Sequence, residues 1–110
     1  MHMNHLDDKV TVSPQITVED VAVIAAEGFD ALMCNRPDGE DPTQTPWAEI
    51  EAAAQAAGMK TYYLPVQSRP EAETAAAAFA EAVAENDRLF AYCRSGTRCQ
   101  LIYQAALAQG

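Results

Sequence analysis

Short apolar runs alternate along this chain with stretches whose apolar residues recur at helical spacing. Residues 9–13 read as an extended segment stopped by Pro14, and Thr17 with Asp20 three residues later marks a helix start. Val18, Val21, Ala22 and Ala25 form that helix's apolar stripe, which ends at Gly28. Residues 29–33 give a second strand, which empties into a polar, turn-rich loop over residues 34–42. Thr45-Pro46 then fits a capped helix start, with Trp47, Ile50, Ala53 and Ala54 on its buried face before Gly58. Residues 59–66 are rich in aromatic and β-branched positions and read as a third strand. After a loop at 67–70, Pro70 opens an alanine-rich helix to about Glu85, with Phe79 and Val83 as its largest inward residues. Residues 89–92 form a fourth strand, and helical spacing returns from Gln100 through Leu101, Ile102, Ala105 and Ala106.

This β-α-β-α-β-α-β-α order predicts an α/β fold: three layers, with a mostly parallel sheet of four to five strands flanked by helices. No repeat or internal boundary interrupts it. One domain over residues 1–110 is expected, with residues 1–8 flexible. Ligands of such sheets bind outside the carboxyl ends of the strands, so the loops after Met33, Val66 and Tyr92 are expected to meet on one edge.

The loop after Tyr92 carries the chemistry. Cys93-Arg94-Ser95-Gly96-Thr97-Arg98-Cys99 puts a cysteine at a strand end, followed by a glycine that permits a sharp bend and then a helix start. Amide N–H groups of such a loop point inward, and the helix dipole and nearby guanidinium groups add positive charge. That environment lowers a thiol pKa and makes Cys93 a candidate nucleophile, with Arg98 as its cationic partner. Arg94, Ser95, Gly96 and Thr97 are candidate substrate-binding residues, joined from the loop after Met33 by Arg36 and Asp38, with Glu40 also a candidate to reach the site. Each residue alone has a simpler explanation, as core thiol or solvated charge. Their joint occurrence in a strand-loop-helix setting is what marks a site.

Composition narrows the partners. A net charge of −9 with seven scattered basic residues among 110 excludes a basic nucleic-acid or anionic-membrane footprint. Nothing approaches the ~18 consecutive apolar residues of a membrane span. Three cysteines without Cys-x-x-Cys spacing argue against a disulfide framework, and the N-terminus lacks the basic-then-apolar pattern of a leader, so a reducing, cytoplasmic setting is expected. His2 and His5 sit in a terminal segment and are poor metal candidates. No metal or other cofactor is called for.

The Cys93–Arg98 segment, together with Ser13-Pro14-Gln15-Ile16 and Asn35-Arg36-Pro37-Asp38-Gly39-Glu40, resembles the phosphatase-like domain family of the beta-lactamase hydrolase-like proteins. The segments fall in that family's order over nearly the whole chain. The resemblance implies a fold of the protein tyrosine phosphatase type. It also implies occurrence alone or fused to a metallo-β-lactamase-like persulfide dioxygenase, which makes such a dioxygenase a candidate partner. Members carry both phosphatase-like and sulfurtransferase labels. Protein tyrosine phosphatases place five residues between nucleophilic Cys and Arg, whereas rhodanese-type sulfurtransferases often place four, as here. Phosphatases also take a general acid from the loop that corresponds to Gln67 and Ser68, neither of which titrates near neutrality. Asp38 and Glu71 are the alternative sources. The hydroxyl residue common after the phosphatase Arg is replaced by Cys99.

The expected activity is therefore sulfur transfer from a small anionic donor such as thiosulfate or a glutathione persulfide, through a persulfide on Cys93. Hydrolysis of a phosphate monoester through a phosphocysteine is the alternative within enzyme chemistry, and a non-catalytic anion-binding or interaction module is the alternative outside it. Cys99 and Cys34 are both candidate redox or resolving partners of Cys93.

Overall fold

The computed structural model describes residues 2–109, in which the alternation becomes a five-stranded sheet between two pairs of helices. Strand β1 (Asn4–His5) runs antiparallel to β2 (Val10–Ser13). β3 (Ala31–Cys34), β4 (Lys60–Tyr63) and β5 (Leu89–Tyr92) join β2 in parallel, in the spatial order β1-β2-β5-β3-β4. The crossovers are α1 (Val18–Ala26), α2 (Trp47–Ala56) and α3 (Arg69–Glu85), and α4 (Thr97–Gln109) follows β5. The three-layer, mostly parallel architecture is the one expected. Among the described residues no helix is long and apolar enough to cross a membrane.

Strand alternation divides the core in two. Leu89, Ala91 and Cys93 pack with Ala31, Met33, Phe79, Ala82, Cys99 and Ile102 under α3 and α4. Phe90 and Tyr92 pack with Leu32, Cys34, Ile24 and Ile50 under α1 and α2. Successive strand residues face opposite sides, so Cys34 and Cys93, which end neighbouring strands, lie on opposite faces of the sheet.

Several boundaries differ from expectation, each for a long-range reason. Of the segment 1–8, Met1 lies outside the described residues. In the rest, Asn4 and His5 pair with Val12 and Thr11, His5 Nδ1 lies 2.6 Å from Thr11 Oγ1, and Leu6 packs on the core. α1 keeps its capping box, Thr17 with Asp20. α2 is not capped by Thr45; Pro46 stands at the cap and the carboxylate of Asp38 accepts from the Trp47 amide at 2.9 Å instead. β4 spans only half of the apolar run over residues 59–66. Leu64 and Val66 still donate to the carbonyls of Cys34 and Asn35, and the backbone then leaves for the loop. α4 begins at Thr97, which places Arg98 and Cys99 in its first turn and tightens the loop after Cys93.

Candidate active site

The 94–98 loop wraps back over the sulfur of Cys93. Gly96 takes φ +91°, a conformation that L side chains rarely adopt, and its N–H donates to Cys93 Sγ at 3.0 Å. A Cβ at Gly96 would meet the Ser13 backbone only at ordinary contact distance, so the glycine supplies conformation rather than space. The amides of Ser95, Arg98 and Cys99 add to this ring, and the Cys99 thiol lies against the Cys93 sulfur with its hydrogen available to it. Cys93 is fully buried. Burial would raise its pKa, but the Cys99 thiol outweighs that and, with the backbone donors, pushes the Cys93 thiol down to about 5. Cys99 pays the opposite way: burial and the neighbouring Cys93 sulfur hold it well above the usual thiol range, as a proton-bearing donor. At neutral pH the pair is one thiolate and one thiol.

Arg98 does not point its whole fork at that thiolate. Its Nη1 donates to Glu40 Oε2 at 2.7 Å and to the Val66 carbonyl at 3.1 Å, and its Nη2 donates to Glu40 Oε1 at 2.9 Å. The Nε–H and one Nη2–H are left over for a ligand. Glu40 is held in turn by Arg36, whose Nε donates to Oε1 at 3.0 Å. These two guanidinium groups, Arg98 first, keep the Glu40 carboxyl below its ordinary range. Arg36 is 4% exposed and also donates from Nη1 to Gln15 Oε1 at 3.0 Å. The Gln15 amide closes the circuit by donating to the Arg94 carbonyl at 3.3 Å. Four loops thus meet at this edge, the three expected and the one after β2.

The remaining candidates separate by placement. Arg94 is exposed at the rim. Ser95 and Thr97 are exposed and bond to each other, Oγ to Oγ1 at 3.1 Å. Arg36 stands behind Glu40 rather than at the opening, where it positions Arg98 through the shared carboxylate. Asp38 is spent on the α2 N-terminus, and its own amide donates to the Tyr63 hydroxyl at 3.0 Å. Cys34 donates to the Arg36 carbonyl at 3.1 Å on the far face, and burial pushes its thiol up. Gln15 is the functional position outside the candidate ligands of the sequence reading, whereas Glu40 is among the candidates of the loop after Met33. Both stood inside the segments that carried the family resemblance.

The carboxylates of the neighbouring loops are therefore all engaged. Asp38 caps α2, Glu40 bridges two arginines, and Glu71 accepts from the Gln67 amide at 2.6 Å. The edge offers a preformed thiolate, converging amide donors and part of a guanidinium, a set suited to attack on an electrophile that carries its own anionic group.

Comparison with known proteins agrees with this geometry. The sequence matches the family described as "Beta-lactamase hydrolase-like protein, phosphatase-like domain" over residues 2–110. It is 33% identical over 99 residues to the beta-lactamase hydrolase-like protein of Agrobacterium fabrum, covering 89% of this chain and 23% of that protein. The chain thus spans less than a quarter of that relative's length. Among solved structures it is similar to a putative phosphatase of Neisseria meningitidis, at 34% identity and a TM-score of 0.76, covering 90% of this chain and 71% of that one. A putative phosphatase of Shewanella putrefaciens shares the fold, at 18% identity and a TM-score of 0.78, covering 98% of this chain and 72% of that one.

Proposed function

The chain belongs to the phosphatase-like domain family of the beta-lactamase hydrolase-like proteins, and from that premise we propose that it is a sulfurtransferase working through a persulfide on Cys93. The observation that carries the proposal is the pairing of a stabilised Cys93 thiolate with surrounding carboxylates that are all committed to structural partners. A phosphate ester of an alkyl alcohol needs a proton delivered to its leaving oxygen. Glu40, held deprotonated between Arg98 and Arg36, is unsuited to deliver it. Sulfite or a thiolate leaves a sulfane donor without that help.

In this mechanism the Cys93 thiolate attacks the outer sulfur of a donor such as thiosulfate. The bond between the donor's two sulfurs breaks, and sulfite departs with its electron pair. The amides of Ser95, Gly96, Arg98 and Cys99, which now face the Cys93 sulfur, turn to the incoming anion as the loop opens. Arg98 adds its free N–H groups, fixed in direction by Glu40, and Arg94 supplies charge at the rim. The persulfide then passes its outer sulfur to an external thiol. A persulfide dioxygenase, as partner or as a further domain, would fit this chemistry as a consumer of the persulfide so formed.

Incubation of the reduced protein with thiosulfate, followed by mass spectrometry, tests this reading. One sulfur added at Cys93 at the earliest times of the reaction, absent in Cys93→Ser, is the expected result. A Cys93→Ser protein that turned over thiosulfate as the parent does would overturn it. Hydrolysis of a phosphate monoester stays as a second reading because solved structures similar to this one are described as putative phosphatases. It requires alkyl phosphates to be cleaved at rates comparable to aryl phosphates, which need little protonation of the leaving group.

A further inference from the structure

All three cysteines of this chain are free, and all lie at the carboxyl edge of the sheet, but the transfer step uses only Cys93. We propose that Cys99 is the resolving thiol of the site: when no external acceptor arrives, it attacks the persulfide of Cys93, releases hydrosulfide and closes a Cys93–Cys99 disulfide. This rests on the sulfur-transfer reading and adds to it a second product and a second catalytic residue.

The fold selects Cys99 over Cys34. Strand alternation sends the Cys34 side chain to the α1–α2 face, where its thiol is bound to the Arg36 carbonyl, whereas Cys93 and Cys99 share the cluster under α3 and α4. The early start of α4 and the bend at Gly96 fold the loop so that residue 99 returns toward residue 93, in the same buried cluster and with its thiol hydrogen-bonded to the other sulfur. Cys99 is 1% exposed, so solvent thiols do not share its position, and an internal nucleophile held in place acts at a high effective concentration.

The step balances without an outside oxidant. A bond forms between Cys99 Sγ and Cys93 Sγ while the bond from Cys93 Sγ to the outer sulfur breaks. The electron pair leaves with the outer sulfur, which takes the Cys99 proton and departs as hydrosulfide. The two cysteine sulfurs are oxidised to a disulfide, and the sulfane sulfur is reduced to sulfide. A dithiol reductant of the thioredoxin class then returns both cysteines to thiols. The acceptor supply thereby decides the product: a thiol acceptor takes the persulfide sulfur, and in its absence a dithiol-driven cycle yields sulfide.

The test uses the reduced, desalted chain with thiosulfate and no acceptor. Trypsin cuts after Arg94 and Arg98, so Cys93 and Cys99 fall in different peptides and a link between them joins the two. The wild type is expected to release one sulfide per chain, show the joined peptides and resume release when a dithiol is added. Cys99→Ser and Cys99→Ala, which load more slowly because the Cys99 thiol no longer supports the Cys93 thiolate, are expected to keep the sulfur they take up on Cys93 and release none, while Cys34→Ser behaves as wild type. Equal retention of the persulfide in wild type and Cys99 variants would overturn the proposal and leave sulfur transfer standing. Sulfide release lost in Cys34→Ser but kept in Cys99→Ser would also overturn it. No sulfur on Cys93 in any variant would overturn both readings.

Discussion

Two cysteines end neighbouring strands of this sheet, Cys34 on β3 and Cys93 one residue beyond β5, and both are buried, yet their thiols shift in opposite directions. Burial acts alike on both and disfavours the thiolate. What differs is how many donors reach each sulfur. Cys34 gives its own hydrogen to the Arg36 carbonyl, and the hydrogen bonds it takes from the Tyr92 hydroxyl and the Arg36 backbone are too few to offset burial. Cys93 meets donors: the Gly96 N–H at 3.0 Å, three further amides and the Cys99 thiol. A buried cysteine becomes reactive when the chain that follows it turns amides back over the sulfur, and stays inert when the chain leaves. β3 leads away toward the cap of α2, whereas β5 leads into the first turn of α4.

The largest expected effect comes from breaking one member of the pair at a time. Cys93→Ser is expected to lower sulfur loading from thiosulfate by a factor of at least ~10³, because an alcohol is not ionised at neutral pH. Cys34→Ser keeps a donor for the Arg36 carbonyl and is expected to load at close to the wild-type rate. Stopped-time mass spectrometry of both variants checks this.

Gly96→Ala sharpens the comparison by disturbing the donors and leaving the sulfur in place. The positive φ costs an L residue roughly 1–2 kcal/mol, and relaxing it swings the N–H away from Cys93. A higher Cys93 thiol pKa than in wild type is expected, with loading slower by up to ~10-fold at pH 6. A pH series of loading rates against wild type reads both.

A smaller effect is expected from Glu40→Gln, which leaves the sulfur's donors untouched and loosens Arg98. Removing the carboxylate charge deprives the buried Arg36 of its ion pair, at a cost of about 1–3 kcal/mol in stability. Loading is expected to fall about tenfold, mainly through weaker donor binding, with the Cys93 thiol pKa nearly unchanged. Denaturant unfolding and the dependence of rate on thiosulfate concentration separate the two consequences.

Local sequence was enough for the elements and for the nucleophile. Thr17 and Asp20 declare α1, and Tyr92-Cys93 followed by Gly96 declares a strand end and a bend, all within a few residues. What local sequence did not carry is whatever one loop does for another. Asp38 caps a helix whose first residue lies nine positions on, and nothing near Thr45-Pro46 announces that Thr45 is spared the task. β1 is two residues long and exists only because β2 presents an edge to it. Arg36 looked like a ligand for substrate because a lone Arg in a polar loop does, but its partner Glu40 is shared with Arg98, 58 residues further on. The opposite faces of Cys34 and Cys93 follow from strand alternation, but only once the pairing of Cys34 with Tyr92 fixes the register.

The central claim is that Cys93 rests as a thiolate, and thiolate absorbance titrated with pH, taken as the difference between wild type and Cys93→Ser, tests it most directly. A group whose folded pKa is depressed is ionised above that value, so the difference signal is expected to appear as pH rises through about 5 and stay level to pH 8. A signal absent below pH 7 and rising through about 8.5, the ordinary value for cysteine, would contradict it.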